Sequence, residues 1–166
     1  MDDLEQLRLH AEKLAILEVL ARYALTIDVG DVEAFAEIFA EDGAWVWEEG
    51  GLVFQGRSEL KELAAAVSQH LPGGQHLMTN HVVEVNGSRA EARCQFAVLL
   101  SRPERVYVTL VGEYRDLLEK RQGRWFLGRR QALVKNPEIL AEPKVGEYYA
   151  GFVQAMQERA SRRSHV

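Results

Sequence analysis

The sequence predicts an α+β domain, in which helices gather on one face of an antiparallel sheet. Three observations support this prediction. Apolar residues in the N-terminal part have helical spacing, the second half contains long β-prone runs joined by short turns, and 166 residues suit one domain. We therefore expect a single domain over residues 1–166, with a core over about 10–135 and a C-terminal extension over 136–166.

The N-terminal part predicts two consecutive helices. Apolar residues recur at steps of three and four until Gly30, and no glycine or proline interrupts them. Asp31 can cap a second helix over 32–39, which the residues 41–43 would end. A third helix is predicted over 56–71, which gives about three helices before the main sheet.

The remaining segments predict strands and one last helix. A short hairpin over 44–47 and 52–54 precedes the third helix, and a helical pattern over 145–156 follows the sheet. Asn86-Gly87 is a strong hairpin turn, so the long strands should form an antiparallel meander. These four strands are expected at 76–85, 90–100, 106–118 and 125–134.

Charge and cysteine content exclude several classes of protein. The formal net charge is −5 and the pI about 5.6, so no basic field attracts nucleic acid or an anionic membrane. The basic residues Arg159, Arg162 and Arg163 are interpreted as a solvated tail.

Cys94 is the single cysteine and is expected to be a buried, inert thiol. No run approaches the ~20 apolar residues of a membrane span, and the acidic N-terminus is unlike a secretory signal, which favours a cytoplasmic protein.

Four segments resemble the SnoaL-like (nuclear transport factor 2-like) superfamily. They are Tyr23–Asp31, Ile38–Gly43, Phe54–Arg57 and His76–Gly87. The resemblance covers about residues 10–135 and implies a cone-shaped fold. In this fold about three N-terminal helices pack on the concave face of a curved, antiparallel or mixed sheet, with a ligand pocket between sheet and helices. The most similar branch contains scytalone dehydratase, bile-acid dehydratase and hexachlorocyclohexane dehydrochlorinase. It also contains the small subunits of ring-hydroxylating dioxygenases, which are chiefly structural.

The resemblance implies four catalytic positions. An Asp–His pair of the eliminating enzymes matches Asp28 and His76, a pocket tyrosine matches Tyr23, and a pocket arginine matches Arg130. Two family features have no counterpart. The region 100–103 holds no second histidine like that of scytalone dehydratase, and the second strand lacks the acidic residue of bile-acid dehydratase.

The residues themselves support part of this assignment. Asp28 lies near a helix C-terminus, where a carboxylate is mildly unfavourable, and Asp31 is better placed to cap the next helix. An aspartate beside His76 would fix the ring tautomer and make the imidazole a better base. Strand alternation places Arg130 on an apolar face, where it needs a buried carboxylate or an anionic ligand, although a bulge would turn Arg129 inward instead.

Five aromatic residues could line an apolar pocket or form plain core. They are Trp45, Trp47, Phe54, Phe96 and Tyr107. His76 and His81 have opposite strand parity and should not bind one metal ion, and no set of residues has the spacing of a metal site. We expect no cofactor.

Together with the resemblance, these observations lead to the hypothesis of a cofactor-free lyase that performs a dehydratase-like elimination on a small hydrophobic, cyclic or aromatic molecule. His76 would be the general base and Asp28 would orient it, while Tyr23 and Arg130 would polarise a substrate oxygen. Two alternatives remain open: an isomerase or cyclase using the same pocket, and a non-catalytic binding or assembly protein like the dioxygenase small subunits. The resemblance also implies a homo-oligomer, either a dimer or a trimer.

Overall fold

A computed structural model describes residues 2–163. Within this range, four α-helices and six strands follow one another, with a short 3-10 helix over Pro137–Ala141. The helices are α1 (Asp3–Val29), α2 (Val32–Glu37), α3 (Gly56–His70) and α4 (Pro143–Arg163). The strands are β1 (Phe39–Trp47), β2 (Leu52–Gln55), β3 (Gly74–Asn86), β4 (Arg89–Ser101), β5 (Val106–Arg121) and β6 (Arg124–Val134).

The six strands form one sheet in the order β2-β1-β6-β5-β4-β3. β3 to β6 form the predicted antiparallel meander, and β1 joins its edge by pairing parallel to β6. The register shifts at several points, which bend the sheet. Helices cover the concave face, so the prediction of an α+β cone is confirmed.

The core lies between the helices and this concave face. Inward residues of β4 alternate strictly with outward ones, as in a strand with one buried face. They pack with the buried side of α1, where Ile16 and Leu20 are fully inaccessible to solvent. Apolar burial on this scale is the main stabilising contribution to the fold.

The first helix begins and ends at well-defined caps. The Asp2 carboxylate accepts a hydrogen bond from the Glu5 backbone N–H, and the Glu5 carboxylate accepts one from the Asp2 N–H. Gly30 ends the helix with a φ of 73° and lies against Ser68, where a side chain would have no room. Asp31 caps α2 as predicted, because its carboxylate accepts from the Ala34 N–H.

One predicted boundary is wrong. The second helix was expected to extend to residue 39 and to end at 41–43, but α2 ends at Glu37 and residues 39–47 form β1. The reason is non-local, because β1 pairs with β6 on one side and β2 on the other. Sheet pairing therefore overrides the helical spacing of Phe35, Ile38 and Phe39.

The prediction of a solvated basic tail is also wrong for Arg159. This side chain lies on α4, is only 12% exposed, and donates to Glu59 at 2.8 Å and to Glu62 at 3.4 Å. Its guanidinium group also stacks on the Phe54 ring. Arg162 is exposed, and the side chain of Arg163 lies outside the described part of the structure. Arg159 therefore fastens α4 to α3.

No helix within residues 2–163 combines the length and the apolarity needed to cross a membrane.

Candidate active site

The strongest candidate site is a pair of side chains that α1 and β3 bring together. Asp28 lies in the last turn of α1, and His76 is the third residue of β3. Nδ1 of His76 lies 2.6 Å from Oδ1 of Asp28, and the backbone N–H of His76 donates to Oδ2 at 2.9 Å. Both oxygens of one carboxylate therefore hold one residue at two points.

This double contact fixes the chemistry of the imidazole ring. Because the carboxylate accepts a hydrogen bond at Nδ1, the neutral ring carries its proton there and presents the lone pair of Nε2. The side chains of His76 and Asp28 are 15% and 19% exposed, so the pair is shielded from bulk water yet reachable. The edge of the ring packs against Tyr23, with centroids 6.1 Å apart.

His76 and Asp28 line a cavity of about 570 Å³, a volume typical of small-molecule sites. The cavity lies between the concave face of the sheet, α1, α3 and α4, and most of its lining is apolar. Tyr149, Phe152 and Met156 of α4 form one wall. Among the lining residues, Asp28 is the only acidic one and none is Lys or Arg. The interior suits an uncharged, largely apolar ligand.

Tyr23 lies beside His76 on the same cavity wall. Its hydroxyl oxygen accepts a hydrogen bond from Nε1 of Trp45 at 3.0 Å. Burial raises the pKa of Tyr23, while the neighbouring Arg130 acts in the opposite direction. The hydroxyl group therefore stays protonated at neutral pH and can act as a hydrogen-bond donor.

Arg130 faces inward as predicted, and its partner is a buried carboxylate, one of the two kinds of partner that the sequence analysis allowed, although Asp116 itself was not identified. Nε and Nη2 of Arg130 each donate to one oxygen of Asp116 at 2.8 Å, and both side chains are completely buried. The guanidinium carbon lies 4.0 Å from the centroid of the Tyr23 ring and 4.3 Å from that of Tyr114. The guanidinium group thus lies behind the tyrosines and does not line the cavity. Arg129 points outward to Glu48.

The five predicted pocket aromatics separate into two groups. Trp45, Trp47 and Phe96 line the cavity. Phe54 does not, because it is completely buried beneath Trp45 and the guanidinium group of Arg159. Tyr107 does not line it either, because it lies next to the β4–β5 turn, where its hydroxyl group contacts Glu104. The predictions that Phe54 and Tyr107 line the pocket are therefore corrected.

The parity argument for the histidines is corrected as well. Asn80 has a φ of 56°, and the β3–β4 register shifts between Thr79 and Val82. This bulge resets the alternation, so His81 and His76 both turn toward the partly buried face of β3. Burial lowers the pKa of His81, and the nearby Arg130 lowers it further.

In the part of the chain that the structure describes, neither the cysteine nor a cluster of metal-binding side chains provides a second reactive site. Cys94 is buried as predicted, and burial raises the pKa of its thiol to about 11. Within residues 2–163, no three His, Cys, Asp or Glu side chains come close enough together to hold a metal ion.

The comparisons with known proteins agree with this architecture. The SnoaL-like domain model matches residues 9–131. The protein Rv3472 from Mycobacterium tuberculosis, of unknown function, is 30% identical, with 95% of each chain covered and a TM-score of 0.82. A nuclear transport factor 2-like protein with a cystatin-like fold, from Novosphingobium aromaticivorans, is 28% identical over 82% of this chain and 93% of its own, with a TM-score of 0.73.

A third solved structure shares the fold at lower identity. It is a protein provisionally named a scytalone dehydratase, also from Novosphingobium aromaticivorans, and is 22% identical over 75% of this chain and 85% of its own, with a TM-score of 0.66. Among curated proteins, none matches the sequence significantly. Because the family model spans most of the described domain, including both Asp28 and His76, this chain belongs to the SnoaL-like domain family.

Proposed function

We propose that this protein is a cofactor-free lyase that eliminates water from a small, uncharged, hydrophobic cyclic molecule. The single observation that carries the proposal is the position of the His76–Asp28 pair, with a 2.6 Å contact at Nδ1, on the wall of an apolar cavity. That arrangement leaves Nε2 as a base within reach of a bound ligand.

In the proposed reaction, Nε2 of His76 removes a proton from a substrate carbon. The electron pair of the broken C–H bond forms a C=C bond, and the C–O bond to a hydroxyl group on the neighbouring carbon breaks. The proton on His76 then passes to the departing hydroxide, which leaves as water and restores the neutral imidazole. Asp28 stabilises the transient imidazolium and keeps the ring oriented.

Tyr23 has a separate part in this proposal. Because its hydroxyl oxygen already accepts from Trp45, its own proton is available to a substrate oxygen. A carbonyl group conjugated with the reacting carbon would gain negative charge as the proton leaves, and a donor placed there stabilises it. Arg130 acts only through the tyrosines, since Asp116 occupies its Nε and Nη2 groups.

A structural neighbour is provisionally named a scytalone dehydratase, and this likeness concerns the fold alone. An isomerase would use the same base and differ only in the fate of the electron pair. The assembly alternative, in contrast, would make no use of a base directed at a cavity.

The test is turnover of a panel of cyclic β-hydroxy ketones, followed by the absorbance of the conjugated product. We expect His76→Ala to lower the rate by about 10²–10⁴-fold while circular dichroism shows an intact fold. His81→Ala is the matched control, because His81 belongs to the same strand and face but does not line the cavity. Full activity in His76→Ala would exclude the proposal.

A panel without any turnover would favour the assembly alternative. In that case, a stable hetero-complex recovered from the native host would replace the lyase proposal.

A further inference from the structure

The hydroxyl group of Tyr148, on α4, lies at the turn that leads into the strand of the proposed base. It donates a hydrogen bond to the carbonyl oxygen of Leu71 at 2.7 Å. The same hydroxyl oxygen also lies close to Gly74. Gly74 is the first residue of β3 and precedes His76 by two positions. One side chain of the C-terminal helix thus bridges both ends of this turn.

The close approach at Gly74 depends on its lack of a side chain. A Cβ atom there would lie 2.9 Å from the Tyr148 hydroxyl oxygen, too short for an ordinary contact. The φ of Gly74 is not in the left-handed region, so a glycine at this place serves proximity rather than an unusual backbone angle. The turn's own hydrogen bond, from Gly74 N–H to Leu71 O, is long at 3.4 Å. Tyr148 therefore supplies the shorter contact to Leu71.

The backbone itself connects this turn with the proposed active site. The backbone N–H that follows Gly74 by two residues is that of His76, which donates to Asp28. Burial raises the pKa of Tyr148, and Tyr149 and Asp28 add to this effect through their charges. The hydroxyl group stays protonated and keeps its role as donor to Leu71.

We infer that Tyr148 is a positioning residue: its hydroxyl group holds the 71–74 turn so that His76 keeps its two-point contact with Asp28. The inference rests on the proposed function for the role of that pair. It also assigns a purpose to α4, which lies outside the residues matched by the family model. The cavity wall and the alignment of the base would then depend on the same helix.

Tyr149 provides a matched control on the same helix. It is buried, and its hydroxyl group lies 3.1 Å from Oγ1 of Thr109 on β5. Removing this hydroxyl group should loosen α4 from the sheet without touching the turn before β3. A general weakening of helix packing would therefore appear in both Tyr148→Phe and Tyr149→Phe, whereas loss of positioning would appear only in Tyr148→Phe.

The readout is the tautomer of His76, measured by ¹⁵N NMR through couplings to the carbon-bound ring protons, with His76→Gln for assignment. It needs no substrate. In the unaltered protein we expect the Nδ1–H tautomer. In Tyr148→Phe we expect a shift toward Nε2–H, because a displaced ring loses its carboxylate partner at Nδ1, while Tyr149→Phe should match the unaltered protein.

Gly74→Ala tests the same contact from the other side. The added methyl group should displace the turn and shift the tautomer as Tyr148→Phe does. Combined with Tyr148→Phe, it should add nothing, because the next nearest atom, the oxygen of Leu71, is 3.4 Å away and tolerates the methyl group. Additive shifts in the double variant would contradict the inference.

The tautomer measurement distinguishes failure of the positioning role of Tyr148 from failure of the lyase proposal. An unchanged tautomer in Tyr148→Phe, with the Nδ1–H form present in the unaltered protein, overturns the positioning role and leaves the lyase proposal intact. An Nε2–H tautomer in the unaltered protein removes the pair itself and overturns both. Equal shifts in Tyr148→Phe and Tyr149→Phe would reduce Tyr148 to a packing residue.

Discussion

Asp116 and Asp28 each hold a basic side chain in the interior of this domain, and they do so in opposite ways. Asp116 contacts Arg130 through two parallel hydrogen bonds in a completely buried environment. Asp28 holds His76 through one side-chain and one backbone contact, on the wall of a cavity. The first pair commits both carboxylate oxygens and two guanidinium nitrogens to each other, whereas the second leaves a ring nitrogen available.

Because of this difference, substitutions in the two pairs should affect different properties of the protein, namely stability and turnover. A buried ion pair is costly to break on one side, because the remaining charge has no partner. A half-shielded pair is cheaper to break, but its geometry controls which nitrogen carries the proton. The buried pair should therefore affect unfolding most, and the cavity pair should affect turnover most.

The largest effect on stability is expected from Asp116→Ala. It leaves the Arg130 guanidinium buried without a carboxylate, which should lower the free energy of unfolding by about 3–5 kcal/mol. Urea unfolding followed by tryptophan fluorescence measures this. The double change Asp116→Leu with Arg130→Met removes both charges and should be less destabilising than Asp116→Ala alone. A double variant that is worse than the single one would contradict this account.

A smaller loss is expected from Arg130→Lys. Lysine keeps the charge but cannot reproduce the two parallel hydrogen bonds to Asp116 or the stacking between Tyr23 and Tyr114. We expect a loss of about 1.5–3 kcal/mol, the range for hydrogen bonds to charged groups. Arg129→Lys is the control, since Arg129 lies outside and pairs with Glu48; equal losses in the two variants would show that burial is not the cause.

Asp28→Asn should lower the free energy of unfolding less than Asp116→Ala does, by about 0.5–1.5 kcal/mol. Its effect on the turnover rate should be much larger. The amide can place its NH₂ group toward Nδ1 and reverse the tautomer, so that Nε2 carries the proton and no longer acts as a base. Unfolding and rate measurements on the same sample check this. If Asp28→Asn lost stability as severely as Asp116→Ala but kept its rate, the two pairs would have exchanged roles.

The smallest effect concerns pH and His81. The groups whose charges act on this ring are Arg130 and Asp116. Because burial lowers the pKa of His81 in the folded state, the unfolded chain binds its proton more readily, and stability should fall as pH drops below the ordinary value of about 6.5. His81→Gln should flatten this acid-side slope in thermal unfolding between pH 7 and 5. A slope that stays unchanged would assign the acid sensitivity to other groups.

The sequence predicted most of the fold because its periodic patterns are long. The four strands of the meander and α1 each span many residues, so local spacing and clear turns specify them. The prediction failed for β1, because its strand conformation depends on pairing with β6, more than 80 residues later in the sequence. No local spacing contains that information.

The site residues that match the family pattern could be predicted from the sequence, whereas those outside that pattern were harder to predict. Asp28 and His76 were identified, and the structure places them in contact. Asp116 was missed although its inward parity with Tyr114 and Leu118 was available, because a lone carboxylate on an apolar face has no visible partner until the strand register is known. The rotation of His81 depends on a bulge at Asn80, whose only local signal is the tolerance of asparagine for positive φ.

The cavity combines an early and a late segment of the sequence, since its lining includes residues of both α1 and α4. During synthesis, Asp28 and His76 leave the ribosome long before the helix that covers them. Until residues 143–163 emerge, the nascent domain would expose the apolar wall of the site to water and to other chains, which is the condition that chaperones recognise. Premature termination within residues 143–163 should therefore yield an aggregation-prone species and not merely an inactive one.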